Sequence, residues 1–185
     1  MGSEDHIFSL KPLRQGEFGI SPAYGEFLAE AASYCLKFKK HDDPVLIHVS
    51  GHMRISGNLQ WNDSGENLAC TYADLQEATE YGAFGVALVI AVKLTGIPFV
   101  QRSVKGTGID WWLSEGTNEA GPFQRAARLE ISGILEGDEG VISTRLNKKL
   151  LQTERSDATS LPAYVAIVEF SSPNVRLVKR ANGKK

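Results

Sequence analysis

The chain reads as an α/β protein in which helices pack against a mixed sheet, and three features of residues 71–180 predict that class. Residues 71–94 lack proline and carry a long apolar run, which reads as one helix closed by Gly96 and Pro98. Segments 98–103, 108–113 and 126–135 then change to the two-residue period of strands, with Ile109, Trp111 and Trp112 favouring extended backbone. A short helix over 144–153 leads into 163–170, which is apolar except for Glu169 and so reads as a strand buried on both faces. The order is α-β-β-β-α-β, with one more strand at 175–179.

Within this core, Thr71 followed by Asp74 resembles a weak capping box for the long helix. Gly82 and Gly85 each weaken that helix by roughly 1 kcal/mol relative to alanine, a loss that close packing against a sheet can offset. Residues 105–108, Lys-Gly-Thr-Gly, read as a tight turn between the first two strands, and 114–122 as a polar loop. Upstream, residues 1–70 read as an N-terminal extension: helix 22–40, strand 45–50, and a loop over 51–70 with room for a short hairpin. Ser21-Pro22 starts the helix as N-cap and N1, and Asp42-Asp43-Pro44 turns the chain into the strand. Residues 181–185 form a basic tail expected to be disordered.

Composition narrows the function classes. The net charge of −2 and pI near 6.1 exclude a strongly basic, nonspecific nucleic-acid binder, while leaving room for a local basic groove. Two cysteines, Cys35 and Cys70, provide neither a disulfide framework nor a cysteine zinc site. The longest apolar candidate, 84–94, is shorter than a membrane span and ends at Lys93 and Gly96. The first six residues carry no secretory pattern, so a reducing cytoplasm is the expected compartment and no membrane contact is expected. His48 and His52 straddle a strand end and a glycine, a poor arrangement for two ligands of one metal.

Two acids stand out against this background. On 127–133, strand alternation turns Arg128, Glu130 and Ser132 to one face and Ala127, Leu129, Ile131 and Gly133 to the other. Asp110 stands among Ile109, Trp111, Trp112 and Leu113, in a segment whose propensities disfavour it. If the two strands pair, the carboxylates lie close, and their repulsion favours either a raised pKa or a bound cation. A hard divalent ion, Mg²⁺ or Mn²⁺, accounts for the pair with the fewest assumptions. The plainer alternative pairs Glu130 with Arg125 or Arg128 and lets Asp110 cap a bend. Arg145, Lys148 and Lys149 sit on the following helix, within reach of phosphate, though a solvated face is the simpler reading.

A helix bearing Glu77 and Glu80, a strand, Gly-Thr-Gly-Ile-Asp ending at Asp110, and Arg-Leu-Glu-Ile-Ser ending at Ser132 together resemble the PD-(D/E)XK nuclease superfamily. The pattern is most similar to the branch of Mrr-type restriction enzymes and Holliday-junction resolvases, and covers about residues 71–170. The resemblance implies a restriction-endonuclease-like core and metal-dependent phosphodiester cleavage, with DNA the expected nucleic acid. It implies that Asp110, Glu130 and Glu80 serve the metal, that Ser132 stands in the last motif, and that the role is in defence against foreign DNA. Ser132 replaces the family's usual lysine, and Lys105 or Arg128 are candidates to supply its charge. With Arg102, these two are also the candidate nucleic-acid contacts. The missing lysine keeps a second expectation open: a catalytically inactive nuclease-like subunit that binds nucleic acid or a protein partner in a multi-protein system. Residues 1–70 have room for such a partner surface, or for a homodimer contact.

Overall fold

The structure is a computed structural model and describes residues 6–62, 68–116 and 124–180. Their elements are β1 (His6–Ser9), α1 (Lys11–Arg14), α2 (Pro22–Phe38), β2 (Val45–Gly51), β3 (Ile55–Gln60), α3 (Leu68–Thr71), α4 (Leu75–Thr95), β4 (Phe99–Arg102), β5 (Trp111–Ser114), β6 (Arg125–Ile134), α5 (Glu139–Gln152), β7 (Ala163–Glu169) and β8 (Asn174–Arg180). The eight strands make one mixed sheet in the order β1-β3-β2-β8-β7-β6-β5-β4. Pairs β1/β3, β2/β8 and β6/β7 are parallel, and the others are antiparallel. The basic tail at 181–185 and most of the polar loop before β6 lie outside the described residues.

The order α-β-β-β-α-β plus one strand is seen from α4 to β8, so the α/β class holds. Residues 6–60 are continuous with it: β2 pairs with β8 and carries β3 and β1 outward, and α2 packs along α4. Residues 55–60 form the second arm of a hairpin with β2 within the expected loop. β1, edge strand of the sheet, belongs to no segment the sequence marked as a strand. In β2, Val45, Ile47 and Val49 are buried while Leu46 and His48 are exposed, as alternation requires.

The long helix begins four residues later than its sequence suggests. Asp74, not Thr71, is the N-cap, and its carboxylate accepts the N–H groups of Gln76 and Glu77 at 2.9 and 3.2 Å. α4 is long and apolar enough to cross a membrane by length and composition, yet two thirds of its apolar window is buried inside the protein. Its two faces meet different neighbours. Gly82 and Gly85 face α2, not the sheet: a Cβ there would come within 3.0 Å of the Ala31 carbonyl oxygen and 2.8 Å of that of Leu28. The sheet side is served by Gly133 of β6, where a Cβ would stand 2.3 Å from the Thr79 carbonyl oxygen.

One apolar core spans α2, α4 and the adjoining face of the sheet, with Phe8, Leu28, Phe84, Trp111, Leu129 and Val168 among its members. A smaller cluster on the opposite face, Ile134, Ile142, Leu146, Val165 and Ile167, holds α5 against β6 and β7. β7 is thus buried on both sides. Its one charge, Glu169, is satisfied by accepting the N–H groups of Ser171 and Ser172 at 2.8 and 2.9 Å, which ties down the following turn.

Because the Gly133 contact sets how closely α4 approaches β6, Gly133→Ala is expected to destabilise the fold by about 1–3 kcal/mol. Urea denaturation measures this; unchanged stability would mean that the helix can shift without loss.

Candidate functional site

The site grows from a match of two periods. Glu130 and Ser132 lie two apart on β6, about 7 Å along a strand, and Arg145 and Lys149 lie four apart on α5, about 6 Å along a helix. The two repeats coincide, so the elements are joined by two polar rungs. Lys149 Nζ donates to Glu130 Oε1 at 2.5 Å, and Arg145 donates to Ser132 Oγ at 2.8 Å. Asp138 starts α5 by accepting the Val141 N–H at 2.9 Å.

Asp110 arrives from the other side. It sits in a bend just before β5, not within the strand as its sequence context suggests. Its N–H donates to the Leu129 carbonyl at 3.0 Å, and its Oδ2 accepts the Ile131 N–H at 2.9 Å, which pins the carboxylate beside β6. Gly108, at φ +77°, makes that approach feasible: a Cβ there would stand 2.3 Å from the Gln152 carbonyl oxygen at the end of α5. Arg102 closes the arrangement. It donates to the Asp110 backbone carbonyl at 3.1 Å and to Oδ1 at 3.3 Å, with its guanidinium over the Phe84 and Trp111 rings.

Glu130 is 1% exposed. Gln152 donates to Oε1 at 2.8 Å alongside Lys149, while Oε2 is buried without a hydrogen-bond partner. Burial pushes its pKa up to about 7, and the adjacent Asp110 charge adds to the rise; Lys149 opposes it. The two acids therefore meet beside a cleft of about 800 Å³, which Asp110 lines and the buried Glu130 does not; its volume is within the roughly 300–1,000 Å³ typical of ligand sites. Glu80, Thr79, Gln76 and Leu75 of α4 line one wall, and Val141, Arg145, Lys148 and Lys149 of α5 line the other.

The remaining expected residues divide. Glu80 is on the cleft wall, whereas Glu77, on the same helix, is not. Lys105 is exposed in the β4–β5 turn and does not line the cleft. Arg128 is corrected: it is fully buried, donating to the Leu161 and Thr153 carbonyls, Ser156 and Asp157, so it anchors the segment after α5 and offers nothing to a ligand. Glu130 accordingly pairs with neither Arg125 nor Arg128; Arg125 lies over the Trp112 ring. Both tryptophans are buried, so neither presents a free face for stacking. His48 bonds Ser56 and His52 packs edge-on to Tyr164. Lys149 and Gln152 were not singled out as partners of Glu130; the helix-to-strand spacing is the signal that could have found them.

Among the described residues, no group of three or more His, Cys, Asp or Glu side chains stands ready to surround a metal ion. The Asp110–Glu130 pair nevertheless fits a hard cation that keeps water for most of its ligands. Glu130 Oε2 is a buried acceptor in want of a partner, and the two acids raise each other's energy when both are ionised. Comparison with protein-family models, curated proteins and solved structures finds no match for the chain.

With a folded pKa near 7 against an ordinary value of 4.5, Glu130 holds a proton that the unfolded chain releases between those limits. Its contribution to stability is full below about pH 4.5 and is lost as the pH rises towards 7. Lys149→Met leaves the ionised group unpaired, so the loss should approach about 3–5 kcal/mol at pH 8.5 and be much smaller at pH 5.5. Chemical denaturation at the two pH values checks this, and equal losses would contradict it.

Proposed function

We propose that the protein is a metal-dependent nuclease that hydrolyses phosphodiester bonds, with DNA as the substrate, on a restriction-endonuclease-like core. The observation that carries the reading is the Asp110–Glu130 pair: Glu130 is buried with Oε2 unpartnered and a lysine at 2.5 Å, and Asp110 lines an open cleft. A pair arranged only for stability would not be expected to leave a carboxylate oxygen buried and unpaired. The element order from α4 to β7, and the order of Asp110 and Glu130 within it, support the same reading.

In this reading Asp110 and Glu130 would hold Mg²⁺ or Mn²⁺, and Glu80 on the wall would help to order water there. The ion supplies charge neutralisation at the phosphate and a water of lowered pKa. The chain's own residues do the rest. Arg102 and the Ile131 N–H keep the Asp110 carboxylate aimed at β6. Lys149, reaching in from α5, supplies beside Glu130 the cation that the strand itself lacks at Ser132. Ser132 in turn holds Arg145 at the cleft wall. A neutral hydroxyl stabilises developing negative charge poorly, but a hydroxyl that fixes a guanidinium brings a full positive charge to the same wall.

The rival reading, an inactive nuclease-like subunit, rests on the missing lysine at Ser132, the acidic pI and the small size. Lys149 beside Glu130 offers a cation in place of that lysine, which supports the catalytic reading. Cleavage of linear, branched and single-stranded DNA in Mg²⁺ or Mn²⁺ is the test. Asp110→Asn and Glu130→Gln should each abolish cleavage, a loss of at least about 10²-fold, while circular dichroism shows the fold retained. Wild-type protein that binds DNA and the ion but never cleaves would establish the rival, and cleavage unchanged in both variants would sink the assignment of these two acids.

A further inference from the structure

The cleft is unlike at its two ends and on its two walls. At one end lie Asp110, Glu80, Lys149 and Gln152. Towards the other, Leu75, Ile134, Leu135 and Val141 present an apolar lining, with Val141 44% exposed and Glu136, paired with Lys39, at its rim. Ile134 follows Glu130 by four residues on the same strand, so the apolar end lies about 13 Å beyond the carboxylates. The α5 wall carries the cations Arg145, Lys148 and Lys149, and Lys148 makes no ion pair among the described residues. The α4 wall carries Glu80 instead. An anionic backbone is therefore drawn to α5 and held off α4.

The carboxylates are also recessed. Glu130 is 1% exposed and lies behind the lining, and Asp110, 21% exposed, is part of it, so a phosphate must enter the cleft to reach Asp110. A paired duplex is rigid and carries its backbone on the outside of a stacked cylinder, whereas an unpaired strand can bend inward and turn a base away from its neighbours. Resting on the nuclease reading, we infer that the Leu135 end of the cleft is a nucleobase subsite, and that the substrate is DNA with unpaired nucleotides at the scissile position. The backbone runs along Arg145 and Lys148, and the base beside the reacting phosphate is buried against Leu75, Leu135 and Val141. The wall cations give affinity without sequence preference, and the apolar end discriminates unpaired from paired strands.

The probes are fluorescein-labelled oligonucleotides of about 15 nucleotides, single-stranded, fully paired, or paired with an unpaired flap. Anisotropy is read with Ca²⁺ in place of Mg²⁺ so that binding is measured without turnover. The single strand and the flap should bind at least about tenfold more tightly than the duplex. Val141→Trp, at an exposed helix position, fills the apolar end without altering charge and should remove that advantage while leaving duplex binding and Mn²⁺ binding unchanged. Val141→Ala should keep the advantage, which separates a filled subsite from a misfolded variant. Lys148→Glu should weaken binding of every probe. Equal affinity for single strand and duplex, or an advantage that survives Val141→Trp, overturns the base subsite even if duplex cleavage stands. A deoxynucleoside monophosphate that binds as tightly as the oligonucleotide overturns the strand reading in favour of a free nucleotide. Absence of binding to every probe, with no cleavage, overturns the nuclease reading and the subsite together.

Discussion

The electrostatics of Glu130 govern much of the rest of this structure. A carboxylate in the middle of a central strand loses nearly all contact with water, and a desolvated charge is tolerated only with partners. Three elements answer that demand. α5 contributes Lys149 and Gln152 from one helical face, β6 presents Glu130 in register with them, and the bend before β5 brings Asp110 alongside. The third arrival makes the arrangement unusual, because it adds a second negative group to a site that already has one unpaired oxygen. The proposed cation site rests on that excess, which a bound cation would relieve.

The supports for that arrangement reach far from the carboxylates. Arg102 holds Asp110 while lying across Phe84 and Trp111, so the position of the acid depends on the aromatic packing of α4. Gly133 sets the distance of α4 from β6, and Gly108 sets the distance of the β4–β5 turn from α5. Tyr24 of α2 packs near Trp111, which ties the first part of the chain to the same cluster. Arg128, one residue pair below Glu130 on β6, spends its whole guanidinium on holding the segment that follows α5. Rigid backing of this kind allows a costly buried pair to keep one geometry.

Much of this was legible in the residues themselves. Strand alternation assigned Glu130 and Ser132 to one face and Gly133 to the other, and the apolar run at 163–170 announced a strand covered on both sides. Proximity of Asp110 and Glu130 followed from pairing the two strands. Other parts were hidden for physical reasons. Asp74 outcompeted Thr71 as the helix cap because its carboxylate reaches two N–H groups at once. Gly82 and Gly85 carried no label saying whether a sheet or a helix would approach them. β1 is only four residues long, and its place at the sheet edge depends on β3, whose own segment looked like a loop. Lys149 and Arg128 were misjudged together: Arg128 is two residues from Glu130 on the same strand and Lys149 is 19 residues away, yet the three-dimensional register brings Lys149 to it.

The central claim, that Asp110 and Glu130 form a strained pair whose strain a divalent ion relieves, is tested most directly on the Glu130 carboxyl itself. Its side-chain ¹³C resonance can be followed by NMR as the pH is raised, first without and then with saturating Mg²⁺. The account predicts titration near pH 7 in the ion-free protein, and a clear downward shift of the midpoint with the ion present. Titration at an ordinary carboxylate value without the ion, or a midpoint that Mg²⁺ does not move, would contradict it.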